Sequence, residues 1–461
     1  MGAAAFTEFS CATADVNDRV HDRTSRVQVN EEPLRDPQTG ADDWRPHPAT
    51  KKRVVSLQQV TKKVALVAVA ASAALVAAAC GSSAPSGGGG GGGGSSAPMP
   101  QISASDFNNS FSAMSQLKPL AKAGKGNVAV ILPDTVSSAR YTEFDAPYLT
   151  KALQLAGLSS SQFTVQNAQG SDATELSDAQ TAITKGASVL IMDPLDSTVG
   201  ASIESYAAKH GAKVIDYDRL TLGGSRQFYV SFNNVLVGTK IGQGLVDCVA
   251  AWKVKNPNVL VMYGDPTDNN ATLFGQGYNA VLKPKFNGGG WHQVGKAAGT
   301  WDPPTALSEF QQQFTAHSNI NAVLTPNDEN AAPIITYLQR KGVKAKTFPV
   351  TGQDATLIGL QNILAGYQCG TVYKPIYLEA QAAAALAMYL RAGETPPTSL
   401  TGGKTTADTK ANVQVPSVLL TPTWVTTSNM NSTVIADKFV PASQLCTAKY
   451  KAACQAAGIS G

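Results

Sequence analysis

Charged and planar polar residues recur in short clusters along the body of this chain: Arg140-Tyr141, Asp216-Tyr217-Asp218-Arg219, Asp265 to Asn270, Asn327-Asp328, Gln353-Asp354 and Lys374. Carboxylates accept hydroxyl protons, guanidinium and ammonium groups donate, and amides do both. Such a set suits a small ligand dense in hydroxyls, since each buried hydroxyl costs several kcal/mol unless both its capacities are used. Bonds to ionised partners are also roughly twice as strong as neutral ones. A polyhydroxylated ring carries C–H faces as well, for which a flat aromatic is a fitting wall, and Trp301 and Tyr141 are the candidates.

Each position has a plainer reading. An Asp or Asn that follows a strand often caps a helix, so Asp265, Asn327 and Asp354 taken singly read as caps or turns. Asp218 and Arg219 taken alone read as a surface ion pair of little worth, and Trp301 as packing. The recurrence of such groups at successive strand ends favours one shared site.

The elements that would carry them follow from the apolar runs. Strand-like runs at 128–132, 163–166, 188–192, 213–217 and 229–232 alternate with helical stretches at about 142–156, 173–185 and 198–209. The pattern then restarts, with strands at 259–263, 293–296, 322–324, 348–350 and 371–373 and helices at about 235–252, 271–282, 304–316, 329–341, 356–364 and 377–391. Strand and helix alternating at this spacing predict an α/β fold whose parallel sheet is covered on both faces. Two successive sets predict two doubly wound lobes, and the 335 residues from 127 onward exceed one comfortable core. Ligands of such sheets gather at the carboxyl ends of the strands, where the polar clusters lie.

Several stretches together resemble one family. They are Tyr217-Asp218-Arg219 and the run 228–234, Asp268-Asn269-Asn270-Ala271 with Leu273-Phe274, Asn327-Asp328, Gly352-Gln353-Asp354-Ala355, the run 371–376, and Val415-Pro416-Ser417 with Leu419-Leu420-Thr421-Pro422. In this order and over nearly all of 127–440 the chain resembles the D-xylose-binding periplasmic protein family, among the type I sugar-binding proteins of ABC importers. The resemblance implies two parallel-sheet lobes joined by a three-strand hinge that crosses near 233–236, near 373–375 and again before Val413. It implies that Arg140, Asp218 and Arg219 serve the sugar from the first lobe, and Asn270, Asn327, Asp354 and Lys374 from the second lobe and hinge. Trp301 matches the family's stacking tryptophan, and Asp268 would orient Asn270. Tyr141 stands where the family usually has Trp, and Asn233 where it has Asp. The implied partners are a monosaccharide and an ABC permease with its ATPase. The implied event is closure of the two lobes over the sugar by a monomer, with no bond made or broken; the alternative is a sensor that signals to a membrane receptor or kinase without import.

The N-terminal region fixes the expected compartment. Lys62 and Lys63 precede a small and apolar run at 64–79 that ends at Cys80. The run is shorter than the roughly 20 residues of a membrane span, and Gly81 and two serines follow it. It therefore reads as a lipoprotein signal with Cys80 as the acylated residue, although Ala77 stands where Leu is commoner. The expected location is extracytoplasmic, lipid-anchored to the outer face of the cytoplasmic membrane. Residues 1–61 form a polar leader without a domain, and since Met1 is the only Met before Met99, translation is expected to start at a Val or Leu within 54–60. Residues 81–125, centred on eight glycines at 87–94, read as a flexible tether and lead-in. The first lobe is expected over 126–234 plus 374–412, and the second over 235–373 plus 413–461.

Export permits disulfides. Setting aside Cys11 and Cys80, four cysteines remain and allow three pairings; Cys446 and Cys454 bracket a short segment and pair first, leaving Cys248 with Cys369. His210, His292 and His317 have no ligand spacing, so no metal is expected, and no cofactor either. Of the 37 Lys and Arg and 33 Asp and Glu, 27 and 24 follow Cys80, and they are scattered, which argues against nucleic-acid binding. Enzyme readings find little support. Gly403-Lys404-Thr405 would end a phosphate loop, but Thr398 occupies the place of its first glycine, and no G-x-S-x-G run occurs.

Overall fold

The computed structural model describes residues 99–460; Cys11, Cys80, the leader and the glycine tether lie outside the described residues. After helix α1 (Lys118–Ala123), the first sheet is built from β1 (Asn127–Leu132), β2 (Phe163–Asn167), β3 (Ala187–Met192), β4 (Lys213–Tyr217) and β5 (Phe228–Phe232), all parallel where they pair. Helices α2 (Ala146–Leu155), α3 (Asp172–Thr184) and α4 (Ser197–Lys209) connect the first four strands. β1 shows why both faces are covered. Val128, Val130 and Leu132 join Leu149 and Leu153 of α2 in one core, while Ala129 and Ile131 join Ile183 of α3 and Ile203 of α4 in the other. With an apolar side chain on each side of the pleat, neither face can be left in water.

The second lobe begins with the long helix α5 (Asn234–Ala251). It holds β6 (Asn258–Val261), β7 (His292–Gln293) and β8 (Ala322–Leu324), arranged β7-β6-β8 and parallel. The expected strand at 348–350 is reduced to a single parallel bridge between Val323 and Val350. Helices α6 (Asn269–Asn287), α7 (Pro303–Ala316), α8 (Asp328–Arg340) and α9 (Leu357–Leu364) cover it. α5 and α6 pack unusually close: a Cβ on Gly238 would lie 2.0 Å from the carbonyl oxygen of Phe274, and one on Gly277 would lie 2.2 Å from that of Val235. Only glycine permits this approach.

The chain then passes through β9 (Thr371–Tyr373) and returns as α10 (Ile376–Ala392) to the first lobe, where β10 (Thr405–Asp408) and β11 (Val413–Leu420) extend the sheet in the order β10-β11-β5-β4-β3-β1-β2. β11 lies parallel to β5, and β12 (Thr423–Val425) pairs antiparallel with β9 in the second lobe. Three strands therefore join the lobes, crossing after Phe232, after Tyr373 and after Leu420. The third crossing corrects the expected boundary, because residues 413–420 belong to the first lobe, not the second. A strand's apolar pattern says that it is buried but does not name its partner.

The lead-in also departs from expectation. Ile102, Phe111, Met114, Leu117 and Leu120 are buried in the first lobe's core, and Gln381 Nε2 of α10 donates to the carbonyl of Asn108 at 2.9 Å. The lead-in is thus part of the folded lobe, its apolar residues along 101–120 packing in the core beside α10. Disulfides link Cys248 to Cys369 and Cys446 to Cys454.

Candidate binding cleft

The strand ends of both lobes face one small space between them. All ten expected residues line it, and the lobes touch across it.

Asp218 follows β4 and Asp354 follows the Val350 bridge of the second lobe, and both adopt the left-handed backbone, with φ of 57° and 90°. Aspartate tolerates that region better than most residues, at a cost on the order of 1–3 kcal/mol. In each case the backbone N–H is drawn to a neighbouring strand, Asp218 to the carbonyl of Val230 at 2.9 Å and Asp354 to that of Val372 at 2.8 Å. The turn aims each carboxylate into the cleft. Lys374, just past β9 at the second crossing, stands between them, its Nζ 2.9 Å from Asp354 Oδ1 and 3.9 Å from Asp218 Oδ1. Burial opposes the ammonium charge, but the two carboxylates outweigh burial and hold Lys374 above its usual range. Burial likewise opposes the charge on Asp218, and Arg140, Lys374 and Arg219 together hold it below the usual carboxylate range.

Arg140 is more engaged with protein than the sequence suggested. Nε and Nη2 donate to Asp145 at 2.8 Å each, Nη2 also donates to Glu379 at 2.7 Å, and Nη1 donates to Asp218 at 2.7 Å. Four of five guanidinium N–H groups are thus taken, leaving one for a ligand. Three of the four bonds hold Arg140 to Asp145 and Glu379, and the fourth fixes Asp218. Glu379 sits in α10 among alanines and other apolar residues, and burial pushes its carboxyl up to about 8 against the pull of Arg140. That single acidic residue in a mostly apolar helix was a legible signal that sequence reading passed over, as was Asp145 five residues after Arg140.

Tyr141 lies in a π-turn at 141–145 ahead of α2, with the Arg140 and Arg219 guanidinium carbons 5.5 and 5.7 Å from its ring centre. Its hydroxyl donates to Asp218 Oδ2 at 3.3 Å and accepts from Arg219 Nη2 at 3.1 Å. Trp301 is pinned from the other lobe: Nε1 donates to Asp268 Oδ2 at 3.0 Å, and the indole lies over Gly264, where a Cβ would come within 2.2 Å of it. Phe274, another lining residue the sequence reading left out, meets Trp301 edge-on at 6.4 Å.

Capping and a place in the cleft coincide at two residues, Asp268 and Asn327. Asp268 caps α6, accepting from Asn270 N at 2.8 Å, and Asn327 caps α8, accepting from Asn330 N at 3.0 Å. Both also reach the cleft. Asn327 Nδ2 donates to the Ser137 carbonyl at 3.0 Å, and Asn270 Nδ2 to the Asp218 carbonyl at 3.0 Å. Asp265 only closes a turn with Thr267.

The loop 137–139 of the first lobe is clasped by the second. Ser138 Oγ donates to Asp354 Oδ2 at 3.1 Å and the Ala139 N–H to Glu329 Oε1 at 2.8 Å. Ser137, Ser138, Gln353 and Glu329 had no place among the expected site residues. Burial raises the Glu329 carboxyl well above its usual range, with Asp354 and Asp328 adding to the shift. The cleft is polar on most sides and walled by aromatic rings, and most of its charges pair within the protein. Such a lining can hydrogen-bond the hydroxyls of a small uncharged ligand.

A family model described as a periplasmic binding protein domain matches residues 128–395. The chain is 38% identical over 286 residues to the D-xylose-binding periplasmic protein of Escherichia coli, covering 61% of this chain and 82% of that one. It is 32% identical over 344 residues to a multiple sugar-binding periplasmic receptor of Rhizobium radiobacter, covering 71% and 94%. Among solved structures it resembles a carbohydrate transporter solute binding protein of Chloroflexus aurantiacus in complex with D-glucose, with a TM-score of 0.60, 28% identity and coverage of 69% of this chain and 97% of that one.

Proposed function

Because the chain belongs to the periplasmic binding protein domain family, we propose that it captures a monosaccharide, D-xylose or a similar aldose, outside the cytoplasmic membrane and delivers it to an ABC importer. The observation that carries this reading is the lining of the cleft. Asp218, Asp354 and Lys374 present charged hydrogen-bonding groups from both lobes and the hinge, in one cleft with the Trp301 indole. D-Xylose heads the list on the likeness to the Escherichia coli protein, and the names of the other relatives support a wider set of aldoses. Ten of the lining residues, those expected from the sequence, are proposed as the ligand set, with Arg140 and Asp268 acting mainly by fixing Asp218, Trp301 and Asn270.

Titration calorimetry and thermal-shift measurements with D-xylose, L-arabinose, D-ribose, D-glucose and D-galactose test the reading. A ligand at 100 times its dissociation constant adds about 2.7 kcal/mol to stability. Failure of every monosaccharide to bind would overturn the proposal. Import and signalling separate in cells: loss of labelled-sugar uptake on deleting the gene supports delivery, whereas intact uptake with a lost sugar response supports a sensor. Anchoring through Cys80 predicts labelling by an alkyne fatty acid that Cys80→Ser abolishes.

A further inference from the structure

Asp193 follows β3 in the first lobe, fully buried, and neither of its carboxylate oxygens has a hydrogen-bond partner. It does not line the cleft. A buried carboxylate left so is costly, and its position is no accident of a loose loop, since its own N–H bonds to the Ile131 carbonyl at 3.0 Å. Burial raises it well above the usual range, and Asp218 and Asp145 add to the shift against Arg219 and Arg140. The cation that reaches it is Arg219, with Nε 3.6 Å from Oδ1.

Arg219 is unevenly held. Nη2 donates to the Tyr141 hydroxyl, and Nη1 reaches the Pro194 and Leu195 carbonyls at 3.4 Å, all within the first lobe. Nε stands between two carboxylates of opposite lobes, 3.6 Å from Asp193 Oδ1 and 3.5 Å from Asp268 Oδ2, and hydrogen-bonds to neither. Asp268 already accepts from Asn270 N and Trp301 Nε1, so Asp193 alone has no other donor. When the lobes part, Asp268 leaves with the second lobe and Asp193 stays.

We propose that Asp193 is a positioning residue of ligand capture: it acts through Arg219, pairing with Nε when the lobes are open and yielding it toward Asp268 as they close. The open form thereby avoids an unpaired guanidinium, and the ion-pair energy of Arg219 does not hold the empty protein shut. The proposal rests on the capture reading above for its ligand, but not for its test.

Asp193→Asn keeps the size and removes the open-form partner. With spin labels on the exposed faces of α4 and α7, the sugar-free variant is expected to shift its interlobe distances toward the closed value. For any sugar that binds, affinity should rise several-fold through slower release. Asp268→Asn should shift the sugar-free distances the other way. Unchanged distances in Asp193→Asn, a shift toward the open value, or the same direction in both variants would overturn the proposal. Should Asp193→Asn not fold, the unmodified protein decides: the Arg219 Nε–H resonance, assigned by its loss in Arg219→Lys, is expected to be protected from exchange in the sugar-free form, and rapid exchange there would count against the pair. If no monosaccharide binds, the capture reading fails while the sugar-free distances still settle the role of Asp193.

Discussion

At the residue scale the cleft works by pre-pairing. Asp218 is held by Arg140, Lys374 and the Tyr141 hydroxyl, and Asp354 by Lys374 and Ser138, so a ligand meets acceptors that do not have to be organised on arrival. Asp218→Ala and Asp354→Ala are each expected to weaken sugar binding more than 100-fold, about 2.8 kcal/mol, with the circular dichroism of the fold retained. Wild-type affinity in both variants would reduce these residues to turn formers. Outside the cleft, Glu175 of α3 is buried and accepts only from the Leu195 N–H at 3.2 Å, and burial pushes its carboxyl up to about 8. A carboxyl raised in the folded state contributes stability that is full below its unfolded value of about 4.5 and is lost as pH rises through about 8. Over that window stability should fall by up to roughly 1.4 kcal/mol per pH unit from this group. Urea midpoints at pH 5, 6.5 and 8 for the protein and for Glu175→Gln check this, the variant giving the flatter profile.

At the element scale, the second lobe is secured where its sheet is shortest. Asp328 at the start of α8 accepts from Thr356 N at 2.9 Å, Gln368 Nε2 at 2.6 Å and Thr371 Oγ1 at 3.1 Å, gathering the loop before α9 and the start of β9 around one carboxylate. The Cys248–Cys369 bridge ties α5 to the same strand across a sequence separation of 121, against 8 for Cys446–Cys454. Loop-closure entropy predicts about 5 kcal/mol for the first and about 2.5 kcal/mol for the second. Serine replacement of the 248–369 pair should therefore lower the melting temperature roughly twice as far as replacement of the 446–454 pair, as calorimetry would read.

At the scale of the whole molecule, three crossings at 232–234, 373–376 and 420–423 confine relative motion to a hinge, and the bonds from Ser138, Ala139, Asn270 and Asn327 form only when the lobes meet. Closure of this kind is a familiar route by which two lobes complete a site. Solution scattering should give a larger radius of gyration without sugar than with it. Hydrogen exchange at Ala139 should slow on saturation, because its N–H finds its acceptor, Glu329, on the other lobe.

What the sequence by itself determined was local: apolar runs of strand length, helix periods between them, and polar clusters at the strand ends. Those are properties of neighbouring residues, and they sufficed for two α/β lobes with a shared cleft at the strand ends, while the choice of ten residues within the clusters came from the resemblance to a family. What only the tertiary structure decided was pairing between distant segments. That β11 joins β5, that residues 101–120 cover α10, that Arg140 is spent on Asp145 and Glu379, and that Arg219 stands between Asp193 and Asp268 all depend on contacts far apart in the chain. No local period encodes such a contact. Asp268 and Asn327 show the boundary most plainly, since each is a helix cap to its neighbours in sequence and a cleft residue only once the lobes come together.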